Sequence, residues 1–150
     1  MTDVKPIDIL LVEDNEDDIE ITQMAFEQAK IRNNILVVRN GQEALDYLYG
    51  RGIYQDRKNY PMPRLMLLDI NMPKKGGFET LEEMKKDDHL RLIPVIMLTS
   101  SRNEEDVARS YGKGAVAYIP KPVNHEDFMK TVEYFNFFWQ IAELPKVKEE

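Results

Sequence analysis

With 150 residues, 43% of them hydrophobic and 31% charged, the chain is sized for one domain with a normal core. Its net charge of −7 argues against nucleic acid as a partner, because phosphate binding wants a basic face. There is no cysteine, which excludes disulfides, thiolate metal sites and cysteine nucleophiles. No run approaches the roughly 20 apolar residues of a membrane span, and the N-terminus lacks the apolar core of a signal peptide. A cytoplasmic protein with no membrane partner is expected.

In chain order, Ile7–Val12 is an apolar run that ends in Glu13 and Asp14. Asp14 or Asn15 is placed to cap the helix that follows, and Glu16, Asp17 and Asp18 suit its positive end. Ile21, Met24, Ala25, Phe26 and Ala29 are expected to form its apolar side. Asn33–Asn34 reads as a turn, Ile35–Val38 as a strand, and Asn40–Gly41 as its close. A helix carrying Ala44, Leu45, Leu48 and Tyr49 follows and stops at Gly50 and Gly52. Residues 51–63 are polar, end in Pro61-Met62-Pro63, and read as a surface excursion.

Leu65–Leu68 runs into Asp69 between Pro63 and Pro73, which fits a strand buried on both faces with an acid at its tip. After a Gly76–Gly77 turn, Phe78, Leu81 and Met84 line a helix. Pro94–Leu98 is another buried run, ending at Thr99. A helix with Val107, Ala108 and Tyr111 stops at Gly112 and Gly114. Ala115–Ile119 leads to Pro120-Lys121-Pro122, and a last helix is expected from about Asn124 to Ala142 before a charged tail. Met24, Met84, Met97 and Met129 read as core fillers, and His89 and His125 as solvated. This β-α unit repeated five times predicts an α/β protein: a five-stranded, doubly wound parallel sheet in a three-layer sandwich.

Four of the strand ends finish in functional types: Glu13–Asp14, Asp69, Thr99 and Lys121. Strand order 2-1-3-4-5 is one of two common orders; under it, Glu13, Asp14 and Asp69 converge on one acidic pocket. Carboxylates so placed repel one another, which raises at least one pKa and invites a divalent cation. Mg²⁺ fits best, being hard and suited to oxygen ligands. A carboxylate nucleophile, a metal, the Lys121 ammonium and the Thr99 hydroxyl together match the needs of phosphoryl transfer.

The set Glu13-Asp14, Asp69-Ile70-Asn71-Met72-Pro73 with Gly77, Thr99-Ser100 and Lys121-Pro122 resembles the receiver domain of two-component response regulators (CheY-like) over about residues 6–140. The resemblance implies that Asp69 is the phosphoacceptor. It implies that Glu13 and Asp14 hold Mg²⁺, with Asp14 and Asp69 binding directly and Asn71 lending its backbone carbonyl. Thr99 would hydrogen-bond the phosphoryl group, Lys121 would pair with it, Tyr118 would be the switch aromatic, and the Lys121–Pro122 peptide would be cis. It further implies a phosphorelay switch with self-phosphorylation and dephosphorylation chemistry rather than an enzyme. Its partners would be a sensor histidine kinase, and a downstream protein or histidine phosphotransfer protein.

Two departures stand out: Glu-Asp replaces the family's Asp-Asp, and Pro120 occupies a usually apolar strand position. The 51–63 excursion and the aromatic last helix are similar to single-domain regulators encoded beside phytochrome-type histidine kinases. On that helix Phe128, Val132, Phe135 and Trp139 make one apolar stripe, and Tyr134, Phe137, Phe138 and Ile141 extend it round the axis, so a homodimer face is expected there. With about ten residues beyond this helix, no output domain is expected. Two rivals remain: an aspartyl-nucleophile phosphatase of the haloacid dehalogenase type, which needs a second acid where Asn71 stands, and a phosphorylation-independent binding module.

Overall fold

The computed structural model describes residues 7–28, 33–100 and 104–121, together with Glu126 and Lys130. Five strands alternate with helices: β1 Ile7–Val12, α1 Glu16–Gln28, β2 Asn33–Val38, α2 Gly41–Tyr49, β3 Leu65–Asp69, α3 Gly77–Lys86, β4 Val95–Thr99, α4 Glu104–Gly112 and β5 Ala117–Pro120. All strand pairs are parallel and the order is β2-β1-β3-β4-β5. Crossovers to left and right of β1 place the topological switch between β1 and β3. The expected last helix, the cis peptide at Lys121–Pro122 and the aromatic face with Tyr134, Phe137, Phe138 and Ile141 lie outside the described residues.

The central strands are apolar along their whole length because both sheet faces are covered. Every residue of β3 and β4 is buried. Leu10, Val12, Met66, Leu68, Val95 and Met97 point to the face carrying α2 and α3, where Leu45, Leu48, Leu81 and Met84 meet them. Ile9, Leu11, Leu65, Leu67, Ile96 and Leu98 point to the opposite face, against Ile19, Ala25 and Phe26 of α1. Period-2 alternation along each strand thus builds two cores from one sheet.

The helix ends are set by local chemistry. Asn15, rather than Asp14, caps α1: its Oδ1 accepts the Asp18 N–H at 3.0 Å. Asn40 Oδ1 accepts the Glu43 N–H at 2.9 Å, and Glu43 Oε2 accepts the Arg39 N–H, so α2 opens on a reciprocal cap. Gly50, at φ 68°, closes it in the left-handed region. A Cβ on Gly77 would lie 2.3 Å from the Asp69 carbonyl oxygen, so glycine is what lets α3 start against the tip of β3.

Several sequence expectations are corrected. Asn33 and Asn34 belong to β2 and are not a turn. Of the apolar side expected on α1, Ala25 and Phe26 are buried but Ile21 and Met24 are exposed, and Ile19 and Thr22 complete the buried face; Ala29 lies outside the described residues. Tyr49 is exposed while Tyr47 is buried. On α4, Ala108 and Tyr111 are exposed, and Ser110 is the buried residue. β5 begins only at Ala117 and includes Pro120, which an edge strand tolerates.

The 51–63 excursion is built rather than loose. A 3₁₀ turn, Gly52–Gln55, buries Tyr54. Tyr47, Tyr54 and Tyr60 pack with ring centroids 5.0, 5.1 and 6.0 Å apart. Arg57 donates to the carbonyls of Leu48 at 2.6 Å, Tyr47 at 2.7 Å and Tyr60 at 3.1 Å, so one guanidinium satisfies the end of α2 and ties the excursion to it.

Candidate functional site

The sheet register brings the acids together. Val12 pairs with Leu68, so the next residues, Glu13 and Asp69, leave adjacent strands side by side. Asp69 pairs with Leu98 and Thr99 with Pro120, which puts Thr99 and Lys121 at the same edge. The Lys121 N–H donates to the Thr99 carbonyl at 2.6 Å and extends the ladder one step past β5. Carboxylate oxygens of Glu13, Asp14 and Asp69 all lie within 4.8 Å of one another. Glu13, Asp69 and Thr99 are buried, whereas Asp14 is exposed and opens the cluster to solvent.

Lys121 reaches into this cluster from the β5 side. Its ammonium touches Glu13 Oε1, lies 3.0 Å from Asp18 Oδ2 and 3.2 Å from Asp69 Oδ1, and its side chain is only 10% exposed. Glu13 Oε2 meanwhile accepts the backbone N–H groups of Asp14 at 3.1 Å and Asn15 at 3.3 Å, which fixes the turn into α1. Burial pushes the Glu13 carboxyl up to about 7; Lys121 opposes the shift and the Asp69 charge adds to it. Asp69 is raised as well, again by burial, against the pull of Lys121. Burial works to lower the Lys121 ammonium, but Glu13, Asp69 and Asp18 outweigh it and hold the proton on.

The donor set fits a hard divalent cation. Three carboxylates converge at oxygen-ligand spacing, and burial raises two of them against the pull of one lysine. Asn71, two residues beyond Asp69, sits exposed in the connection to α3. Tyr118 is half-buried on β5 and packs against the core on the α2–α3 face. The structure therefore assembles Glu13, Asp14, Asp69, Thr99 and Lys121 at one edge. Pro122 lies outside the described residues.

Sequence reading missed Asp18 as a member of this group, because an acid in a first helical turn is adequately explained by the helix dipole. The signal available was its spacing, four residues beyond Asp14, at a helix start fed directly from the sheet edge. Arg57 was also missed, since nothing in a polar loop marks which cation will turn inward.

A parallel sheet ordered 2-1-3-4-5 with these acids at its switch point is the architecture of a receiver domain. The response regulator receiver domain matches residues 9–133, and the chain belongs to that family. Response regulator Rcp1 of Synechocystis sp. is 40% identical over 131 residues, covering 87% of each chain. The Mn²⁺-bound form of Rcp1 is similar in structure, with a TM-score of 0.76 at 39% identity, over 94% of this chain and 100% of that one. The phosphorylated cyanobacterial phytochrome response regulator RcpA is similar with a TM-score of 0.78 at 38% identity, over 95% and 100%. The bacteriophytochrome response regulator AtBRR gives 0.77 at 46% identity, over 91% and 96%. No helix among the described residues is long and apolar enough to cross a membrane.

Proposed function

We propose that this chain is a cytoplasmic response regulator that takes a phosphoryl group on Asp69 from a sensor histidine kinase of the phytochrome type. The observation that carries the proposal is the convergence of three carboxylates and Lys121 on one sheet edge. Relatives described as phytochrome and bacteriophytochrome response regulators support the kinase class. The Mn²⁺ in Rcp1 and the phosphorylated state of RcpA support the chemistry.

Glu13, Asp14 and Asp69, with the Asn71 carbonyl, would hold Mg²⁺, which supplies positive charge for the transferring phosphoryl oxygens. An Asp69 carboxylate oxygen attacks phosphorus, the bond to the donor imidazole breaks, and the pair of electrons leaves with that nitrogen. Lys121 pairs with the phosphoryl oxygens, already 3.2 Å from Asp69 Oδ1. Thr99 donates its hydroxyl to the same group. Drawing Thr99 toward the phosphoryl frees space into which Tyr118 turns, which changes the surface of α4 and β5. That is a population shift between two surfaces, written by another protein and read by a downstream protein or a histidine phosphotransfer protein. The apolar residues Tyr134, Phe137, Phe138 and Ile141 are proposed as a homodimer face from their sequence pattern.

Asn71, in place of the second acid that an aspartyl phosphatase requires, disfavours turnover of a small substrate. A purely phosphorylation-independent module has no use for two raised, buried carboxylates beside a lysine. The deciding experiment is incubation with Mg²⁺ and acetyl phosphate or phosphoramidate, followed by intact-mass measurement. One phosphoryl increment is expected in the unaltered chain and none in Asp69→Asn. An increment that survives in Asp69→Asn, or fails to form at all, refutes the assignment.

A further inference from the structure

Asp18 is the carboxylate at this site that no part of the proposed chemistry uses. Its backbone is pinned, because its N–H donates to the Asn15 cap and its carbonyl accepts the Thr22 hydroxyl at 2.8 Å. These bonds fix where its side chain leaves the helix, and its carboxylate accepts a hydrogen bond from Lys121. Asp18 Oδ2 lies 3.0 Å from Lys121 Nζ, closer than Asp69 Oδ1 at 3.2 Å. Yet it stands apart from the cluster of oxygens that Glu13, Asp14 and Asp69 form, and its side chain is 26% exposed where theirs at Glu13 and Asp69 are nearly closed to solvent.

Lys121 thus has two partners that a cation would claim and one that it would not. A divalent ion among Glu13, Asp14 and Asp69 repels an ammonium a few ångströms away. With its side chain 10% exposed, Lys121 has little access to water, and a buried ammonium left without a carboxylate is strongly disfavoured. A small swing of its four-carbon stem toward Asp18 resolves the conflict and keeps the ammonium beside Asp69.

We propose that Asp18 is a positioning residue that holds Lys121 while the three metal-facing carboxylates are occupied. It thereby raises the affinity of the site for the cation and keeps the lysine within reach of the phosphoryl group. The inference rests on the metal reading given above.

The test is a double-mutant cycle read by calorimetric titration with Mg²⁺ alone. Asp18→Asn is expected to weaken Mg²⁺ binding about tenfold in the unaltered chain but about threefold or less in a Lys121→Met background, where only the through-space loss of one charge remains. Equal losses in both backgrounds overturn the proposal. A second measurement needs no lysine variant: acetic anhydride labelling of Lys121, quantified by peptide mass. Saturating Mg²⁺ is expected to leave Lys121 protected in the unaltered chain and to increase its labelling several-fold in Asp18→Asn. Labelling that responds identically to Mg²⁺ in the two proteins overturns the proposal. If the unaltered chain binds no Mg²⁺ the metal reading falls and this inference with it; if it binds but Asp18→Asn binds equally well, only the role of Asp18 falls.

Discussion

Cation binding at this site should expel a proton. Burial, with the Asp69 charge in support, holds the Glu13 carboxyl at about 7, so in the absence of metal it carries about 0.9 proton at pH 6, about 0.5 at pH 7 and about 0.1 at pH 8. A carboxylate that faces a divalent ion must be ionised, so those are the numbers of protons that Glu13 releases per Mg²⁺ bound. Below pH 7 the affinity should fall about tenfold per pH unit, and above pH 8 it should level off. Titration calorimetry in two buffers of different protonation enthalpy measures the release directly. The same proton sets the stability of the metal-free chain. The folded carboxyl sits above its ordinary 4.5, so its contribution is full below that value and is lost as the pH rises to about 7. The loss amounts to about 3 kcal/mol at most from a shift of this size. Lys121, raised rather than lowered, keeps its proton throughout this window and adds no slope. No proton released on Mg²⁺ binding at pH 6, or an affinity flat between pH 6 and 8, would refute the argument that burial dominates at Glu13 over the pull of Lys121.

Other substitutions test the scaffold. Arg57→Ala removes three hydrogen bonds to backbone carbonyls, those of Tyr47, Leu48 and Tyr60, and should cost about 2 kcal/mol in urea unfolding without altering Mg²⁺ affinity. Arg57→Lys should rescue little of this, since a single ammonium does not span the same fork. Gly77→Ala places a Cβ 2.3 Å from the Asp69 carbonyl oxygen and 2.9 Å from the Ile70 Cα. Neither backbone atom can yield freely, so a loss of about 2 kcal/mol is expected together with weaker metal binding as the tip of β3 shifts. If the proposed homodimer forms through these residues, Tyr134→Glu combined with Phe138→Glu should lower the mass seen in light scattering to that of a monomer; an unchanged mass would remove Tyr134 and Phe138 from the proposed interface.

The sheet was legible because four of its five strands end on a chemically distinctive residue. Apolar runs into Glu13, Asp69, Thr99 and Lys121 marked both the strand and its functional end. Strand order was not legible from the alternation of strands and helices, which leaves two orders open; it came with the receiver resemblance, and the pairing of β1 with both β2 and β3 bears it out. Helix faces were the weakest reading. On α1 the polar Thr22 goes inward because its hydroxyl donates to the Asp18 carbonyl, while the apolar Met24 stays in solvent. A side chain that satisfies itself against its own helix is buried cheaply, and hydropathy alone does not foresee it. The excursion looked like a loop for a related reason. Its order comes from Arg57, Tyr54 and Tyr60 meeting α2 at Tyr47 and Leu48, contacts that no local pattern encodes.

The same logic separates the two polar clusters by what they can do. Around Arg57 the guanidinium donates to three backbone carbonyls and to the Met62 sulfur, so the cluster is neutralised by polar partners and holds one geometry. At the sheet edge the balance is left open: one ammonium answers three carboxylates, and two of these are buried. Such a group stays folded because the strands on either side fix it by register, not because its charges are satisfied. Added positive charge would relieve the repulsion among these carboxylates, and added negative charge on Asp69 would draw the lysine toward it. A site that depends on its scaffold for position and on a visitor for neutrality changes state when the visitor arrives, which is the physical requirement of a switch.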